Sequence, residues 1–84
     1  MTDCRVGDVV RSTKGHDAGG LFLVLEAGET HLLLADGKGR KLSHPKRKSR
    51  RHVERLQRPE SLEVPASDRA LRKALSALAE SQTR

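Results

Sequence analysis

The chain has 84 residues, a net charge of +6 and a hydrophobic content of 35%, with Phe22 as its single aromatic residue. This length allows one small domain with a modest core, which leaves little material for an enclosed substrate cavity. Cys4 is the only cysteine, so an internal disulfide is excluded. No apolar run approaches the roughly 20 residues of a membrane-spanning helix, and we expect a soluble, cytoplasmic protein.

The first part of the chain is typical of short strands separated by turns. Residues 6–11 mix Val with polar residues and predict a strand, whereas the turn formers of residues 12–20 predict a loop. The nearly continuous apolar run over residues 21–27 predicts a buried strand. A Gly-Glu turn follows, and residues 30–35 predict the next strand.

Two further strands are predicted around the most basic part of the chain. Asp36-Gly37 predicts a hairpin turn, because Gly accepts a positive φ. Residues 39–44 predict a returning edge strand that ends at Pro45, which cannot donate a hydrogen bond to a sheet. Residues 52–57 alternate well enough for a fifth strand. Five short strands with tight turns predict a small barrel, because closure removes exposed sheet edges.

The C-terminal part predicts one helix. Residues 58–66 contain two prolines and predict a connector. Ser67 and Asp68 supply an N-cap and an acid for the first turn of an amphipathic helix over residues 67–80, and residues 81–84 are expected to fray. This helix either packs its apolar stripe on the barrel, docks on a partner or lies against RNA with Arg69, Arg72 and Lys73. The stripe consists of Leu71, Ala74, Leu75 and Leu78.

The positive charge is concentrated in one segment. Residues 38–58 carry ten Lys or Arg against one acid, Glu54, whereas the rest of the chain holds seven bases and ten acids. Such a concentration favours a polyanion as the partner. We call His44 to His52 (HPKRKSRRH) the basic run. Because it lies between two predicted strands, we predict a loop tethered by the domain rather than a tail or a nuclear address.

The stretch from Val6 to Ala27 resembles the KOW motif, a strand, a glycine-containing loop and a second strand in ribosomal proteins and transcription elongation factors. The resemblance rests on Gly7-Asp8, the Lys14-Gly15-His16-Asp17 loop, Gly19 and the apolar run after it. The later ADGKGRKL, PKRK and RRHVERL segments are similar to short KOW-domain RNA-binding proteins related to archaeal and eukaryotic large-subunit ribosomal proteins. The resemblance covers residues 5–57 and implies an SH3-like β-barrel that binds RNA, often ribosomal RNA.

We therefore predict a mostly-β protein with two parts. Residues 1–57 form an SH3-like (KOW) barrel of about five strands that includes the basic loop 44–52, and one C-terminal α-helix follows. The predicted function is non-catalytic RNA binding, associated with the ribosome or its RNA, through contacts to phosphates.

The predicted RNA-binding residues are of two kinds. Lys and Arg bind phosphates by charge, whereas Gly15 and Gly19 either turn the chain or let a phosphate approach the main chain. Ala18 stands where many KOW loops carry Lys or Arg, so Lys14 or residues 46–51 are expected to supply that contact. The full set is Lys14, Gly15, Gly19, Arg40, Lys41, Lys46, Arg47, Lys48, Arg50, Arg51 and Arg55.

Other functions have less support in the sequence. The four histidines and Cys4 fit no compact zinc spacing, so no metal, cofactor or catalytic residue is predicted. One alternative is a protein-interaction module that docks on a ribosomal or transcription partner, and another is a small hydrolase or nuclease-like enzyme. Without Trp or Tyr, stacking on single-stranded bases is disfavoured, which favours structured RNA. We expect a monomer that binds RNA, with ribosomal proteins as further partners.

Overall fold

Five strands, a short 3₁₀ helix and one α-helix are present in this computed structural model, which describes residues 4–16, 18–57, 65 and 67–82. The elements are β1 (Val9–Ser12), β2 (Leu21–Ala27), β3 (His31–Ala35), β4 (Lys46–Ser49), the 3₁₀ helix η1 (Arg50–His52), β5 (Val53–Gln57) and α1 (Asp68–Gln82).

The strands form one antiparallel sheet in the order β4-β3-β2-β1-β5. Val10 of β1 lies opposite Phe22 of β2, and Leu32 of β3 lies opposite Lys48 of β4. The predicted mostly-β class, with five strands and a C-terminal helix, is confirmed. The sheet is not closed into a full barrel, because β4 and β5 stand at its two ends and are linked through η1.

Each face of the sheet buries its own apolar cluster, because neighbouring side chains of a strand point to opposite faces. The inner face carries Val10, Phe22, Val24, Leu32, Leu34 and Val53, together with Cys4. Leu34 and Val53 belong to strands that two other strands separate in the sheet. Their presence in one cluster shows that the sheet curls around it, which gives the fold its barrel-like shape.

Helix α1 covers the outer face of the sheet. Leu71 and Leu75 are buried against Val9, Leu23 and Ala35. Residues four apart share one face of a helix, so these two leucines fix its rotation. The interpretation in which the helix packs on the sheet is thus confirmed, although Ala74 is exposed and Leu78 only partly buried.

The start of α1 is held by hydrogen bonds at both of the predicted capping residues. The Ser67 hydroxyl accepts a bond of 3.2 Å from the Ala70 amide, as an N-cap does. The Asp68 carboxylate accepts one of 2.7 Å from the Leu42 amide in the β3–β4 connection. The helix runs two residues beyond the predicted end at residue 80. The predicted connector lies outside the described residues except for Pro65, and so do residues 83–84 of the predicted tail.

The segment between β3 and β5 differs most from the sequence predictions. Residues 39–44, predicted as a strand, form turns, and the strand β4 lies inside the basic run that was predicted to be a loop. The Asp36 carboxylate accepts amide bonds from Lys38 and Arg40 and so holds the chain in a wide turn. The chain therefore rejoins the sheet only at Lys46, opposite Leu34. Lysine-rich strands are suited to a sheet edge, where charge discourages pairing with other chains.

Candidate nucleic-acid interface

The loop between β1 and β2 (residues 13–20) begins in contact with the basic run. The Thr13 amide donates a 2.8 Å hydrogen bond to the His52 carbonyl of η1. The carbonyl of Lys14 accepts bonds from the Lys48 ammonium and, at 3.0 Å, from the Ser12 hydroxyl. These bonds bring the β1–β2 loop, which carries Lys14, against the basic run.

Two glycines shape this loop. Gly15 and Gly19 have φ of +87° and +89°, a conformation that residues with a Cβ rarely adopt. The Gly19 amide donates a 2.8 Å bond to the Ser12 carbonyl, which closes the loop at its base. A Cβ on Gly19 would meet no atom within 4 Å. Both glycines therefore turn the chain, and the main chain at Gly19 faces open space.

Lys48, in the middle of the basic run, points into the protein. Only 7% of its surface is exposed, and it lies opposite the buried Leu32. Its ammonium is occupied by the main-chain oxygen of Lys14. Lys48 is thus turned away from the surface where a phosphate would bind, and its predicted RNA contact gains no support. The reason is the strand conformation of β4, in which alternate side chains face the interior.

Two arginines of the basic run extend toward the turn between β2 and β3. The Arg50 side chain donates a 2.7 Å bond to the Gly28 carbonyl, and its amide donates one of 2.9 Å to Thr30. Arg47 is exposed and lines a shallow concavity together with Glu26 and Glu29. The positive charge of Arg47 is thus partly offset by nearby carboxylates.

The remaining predicted cations have different surroundings. Arg51 is exposed, and its amide bonds to the Ser49 hydroxyl at 3.3 Å, which fixes the start of η1. Arg55 is exposed on β5 and Lys46 is partly buried at the start of β4. Lys14 is exposed on the loop that contacts η1. We call the three cations Lys14, Arg50 and Arg51 the loop–η1 surface.

Arg40 and Lys41 belong to a second basic group in the β3–β4 connection. Both are exposed, and this connection is bonded to α1 through Leu42 and Asp68. The structure adds Lys38 and Arg72, which line one groove beside Gly19. The predicted RNA-binding set contains neither residue, and Arg72 was named only with Arg69 and Lys73 for a helix that lies against RNA. The basic residues of the helix outside its apolar stripe were the available signal, but only tertiary packing places them beside the loop.

The charge is distributed unevenly over the fold. Residues 15–37 contain no Lys or Arg, and Glu26 and Glu29 lie at the β2–β3 end of the sheet. The basic residues are supplied by the β1–β2 loop, η1, the β3–β4 connection and α1. Charges within about 8 Å reinforce one another at physiological salt, so contiguous basic elements create a stronger potential than scattered ones.

No protein-family model matches the chain and no curated protein matches its sequence. The KOW resemblance stays a prediction. In the described ranges 4–16, 18–57, 65 and 67–82, no three His, Cys, Asp or Glu residues are grouped to hold a metal ion. Over the same ranges, no helix has the length and apolar character needed to cross a membrane.

Proposed function

We propose that the protein binds RNA through phosphate contacts and catalyses no reaction, with ribosomal RNA as the class of target that the KOW resemblance implies. The observation that carries this proposal is the contact between the β1–β2 loop and η1. The Thr13–His52 and Lys48–Lys14 hydrogen bonds hold the exposed Lys14 of this loop beside the basic run.

The mechanism is electrostatic. Lys14 and Arg51 are exposed on elements that hydrogen bonds hold in place, so their charges lose less freedom on binding than those of a floppy tail. An arginine guanidinium also offers several N–H donors that match the oxygens of a phosphate. Displacement of counterions from the RNA then supplies much of the affinity.

Whether single-stranded or folded RNA is favoured depends on aromatic side chains, and none is exposed in the part of the chain that the structure describes. Phe22 is the only aromatic residue and is 2% exposed, so it cannot stack on a base. Single-stranded RNA is usually recognised by aromatic stacking, whereas folded RNA is recognised through its shape and its phosphates. The available groups therefore favour structured RNA, with arginine stacking on exposed bases as a secondary contact.

The alternative of a protein-docking module receives less support. Leu71 and Leu75 of α1 are buried against the sheet, so this apolar stripe is not free for a partner. Among the described large hydrophobic residues, only Val6 is exposed, at 40%. Stable protein interfaces are centred on aromatic and aliphatic residues, and apart from Val6 the described residues expose no large one. A complex that survives both ribonuclease and high salt would favour docking on a protein instead.

The test compares two double variants in RNA binding by fluorescence anisotropy, with folded ribosomal RNA fragments from 50 to 200 mM salt. Lys14→Ala/Arg51→Ala removes two charges from the loop–η1 surface. Arg5→Ala/Arg11→Ala removes the same charge at two positions outside the predicted RNA-binding residues, where Arg11 is paired with Glu54 at 3.2 Å. We expect the first variant to reduce the slope of log affinity against log salt by about 1.4–1.8, for two lost contacts. We expect the second to change it by much less.

Thermal unfolding of both variants checks that the fold is intact. Equal binding by the wild type and the Lys14/Arg51 variant would refute the proposed function, as would equal losses in the two variants.

A further inference from the structure

A second group of cations lies on the other side of the β1–β2 loop, in a groove between that loop, the β3–β4 connection and α1. Gly19, Lys38 and Arg72 line this groove together with Ser76 and Asp36. Its position is set by the packing of the helix. Burial of Leu71 and Leu75 against the sheet turns the side of α1 that carries Arg72 and Ser76 toward the groove.

The main chain and the Cγ of Arg72 lie close to Gly37. A Cβ built on Gly37 would lie 3.0 Å from Cγ of Arg72 and 3.1 Å from its main-chain nitrogen, so helix and turn are in close contact here. The residue is nevertheless exposed as a whole. The stem of Arg72 is therefore fixed near the turn, while the guanidinium remains accessible from the groove.

One carboxylate also lines the groove, and its oxygen is used within the turn. Oδ1 of Asp36 accepts amide hydrogen bonds from Lys38 at 2.9 Å and from Arg40 at 2.8 Å. The surrounding elements remain basic. The β3–β4 connection carries Lys38, Arg40 and Lys41 against Asp36 alone, and the first half of α1 carries three Lys or Arg against Asp68.

The groove is close to the loop–η1 surface because the loop between them is closed at its base. The Gly19 amide bonds to the Ser12 carbonyl at 2.8 Å, and the next residue, Thr13, bonds to His52 of η1. Gly19, which lines the groove, is therefore bonded to Ser12, the neighbour of the Thr13 that contacts η1. Both basic groups therefore border the same glycine loop.

We propose that this groove is a second phosphate-binding site, in which Lys38 and Arg72 bind the RNA backbone and the Ser76 hydroxyl donates a further hydrogen bond. This inference rests on the proposed function. It makes α1 a direct RNA-binding element as well as the cover of the outer sheet face. The backbone of one RNA then runs from η1 across the loop into the groove.

The experiment uses the full chain and the same salt titration with a folded ribosomal RNA fragment. Lys38→Gln/Arg72→Gln removes both groove charges and keeps much of the stem that packs at Gly37. Arg69→Gln/Lys73→Gln is the matched control, because it removes two charges from exposed positions of the same helix that do not line the groove. The charge-preserving variant Lys38→Arg/Arg72→Lys is the second control.

We expect the groove variant to lower the salt slope by about 1.4–1.8 and to weaken binding roughly tenfold or more at 0.15 M salt. The charge-preserving variant is expected to keep the wild-type slope, and the helix control is expected to lose clearly less than the groove variant. Thermal unfolding verifies that all three variants are folded.

The outcomes separate this inference from the proposed function. If Lys14→Ala/Arg51→Ala weakens binding but the groove variant matches the wild type or the Arg69/Lys73 control, the groove is not a phosphate site. If the wild type does not bind RNA, both proposals are wrong.

Discussion

The ammonium of Lys48 donates a hydrogen bond to the main-chain oxygen of Lys14. Lys48 is on the edge strand β4 and Lys14 follows β1, and two strands separate β4 from β1 in the sheet. The bond therefore forms because the sheet curls, and it joins the basic run to the β1–β2 loop. The same oxygen also accepts a hydrogen bond from the Ser12 hydroxyl, so two side chains fix the main chain at the start of the loop.

Lys48→Met is expected to leave the salt slope of RNA binding unchanged, because the Lys48 ammonium is turned into the protein and bonds to the Lys14 carbonyl. Lys14→Met, one exposed charge in the bonded loop, is expected to lower the slope by about 0.7–0.9. Met keeps most of the aliphatic volume of the buried Lys48, and Lys14 is exposed, so we expect both variants to fold. Circular dichroism checks this. An equal loss of slope in the two variants would show that Lys48 is accessible to RNA.

Gly37→Ala is expected to destabilise the fold by about 2–4 kcal/mol, because the added Cβ would clash with the Asp68 carbonyl at a φ of +79°. Gly39→Ala in the same connection is the control, since a Cβ there meets no atom within 4 Å. Urea denaturation measures the free energy of unfolding of both. A similar loss in both variants would mean that the helix does not approach Gly37 this closely.

Leu71→Ala is expected to lower the free energy of unfolding by about 2–5 kcal/mol, because it opens a cavity between α1 and the outer face of the sheet. Leu78→Ala on the same stripe is expected to cost about 1 kcal/mol, since Leu78 is only partly buried. Thermal and urea unfolding test the ranking. A harmless Leu71→Ala would indicate that the helix does not pack on the sheet in solution.

Asp68 is expected to act mainly as a hydrogen-bond acceptor for the Leu42 amide. Asp68→Asn keeps an acceptor and loses the charge at the helix start, at a cost of about 0.3–1 kcal/mol. Asp68→Ala leaves the Leu42 amide without that partner and should cost about 1–2 kcal/mol more. Urea denaturation measures both variants, and equal losses would contradict the role of the bond.

Local patterns were sufficient to predict much of the fold. The bounds of β2 follow from its nearly continuous apolar run, and the position of α1 follows from its cap and its stripe. The mixed sequence of residues 6–11 predicted β1 three residues too early, because Gly7 and Asp8 form the turn before it. These elements are encoded mainly by neighbouring residues.

The strand β4 could not be predicted in this way. Lysine has a low preference for strands, and the segment pairs because β3 offers an edge after the wide Asp36 turn. Pairing with β3 in turn decides that Lys48 is buried. The groove at Arg72 has the same origin, because it requires α1 to pack beside Gly37 from more than thirty residues away. Adjacency of the basic run and the β1–β2 loop was predictable only through the family resemblance.

The most direct test of the account is the salt dependence of binding of the wild-type protein to folded ribosomal RNA. The cations of the loop–η1 surface together with Lys38 and Arg72 of the groove offer about five phosphate contacts, which predicts a slope of about −3.5 to −4.5 for log affinity against log salt. A slope shallower than about −1, or no binding at 50 mM salt, would contradict the claim that these basic elements form an RNA-binding surface.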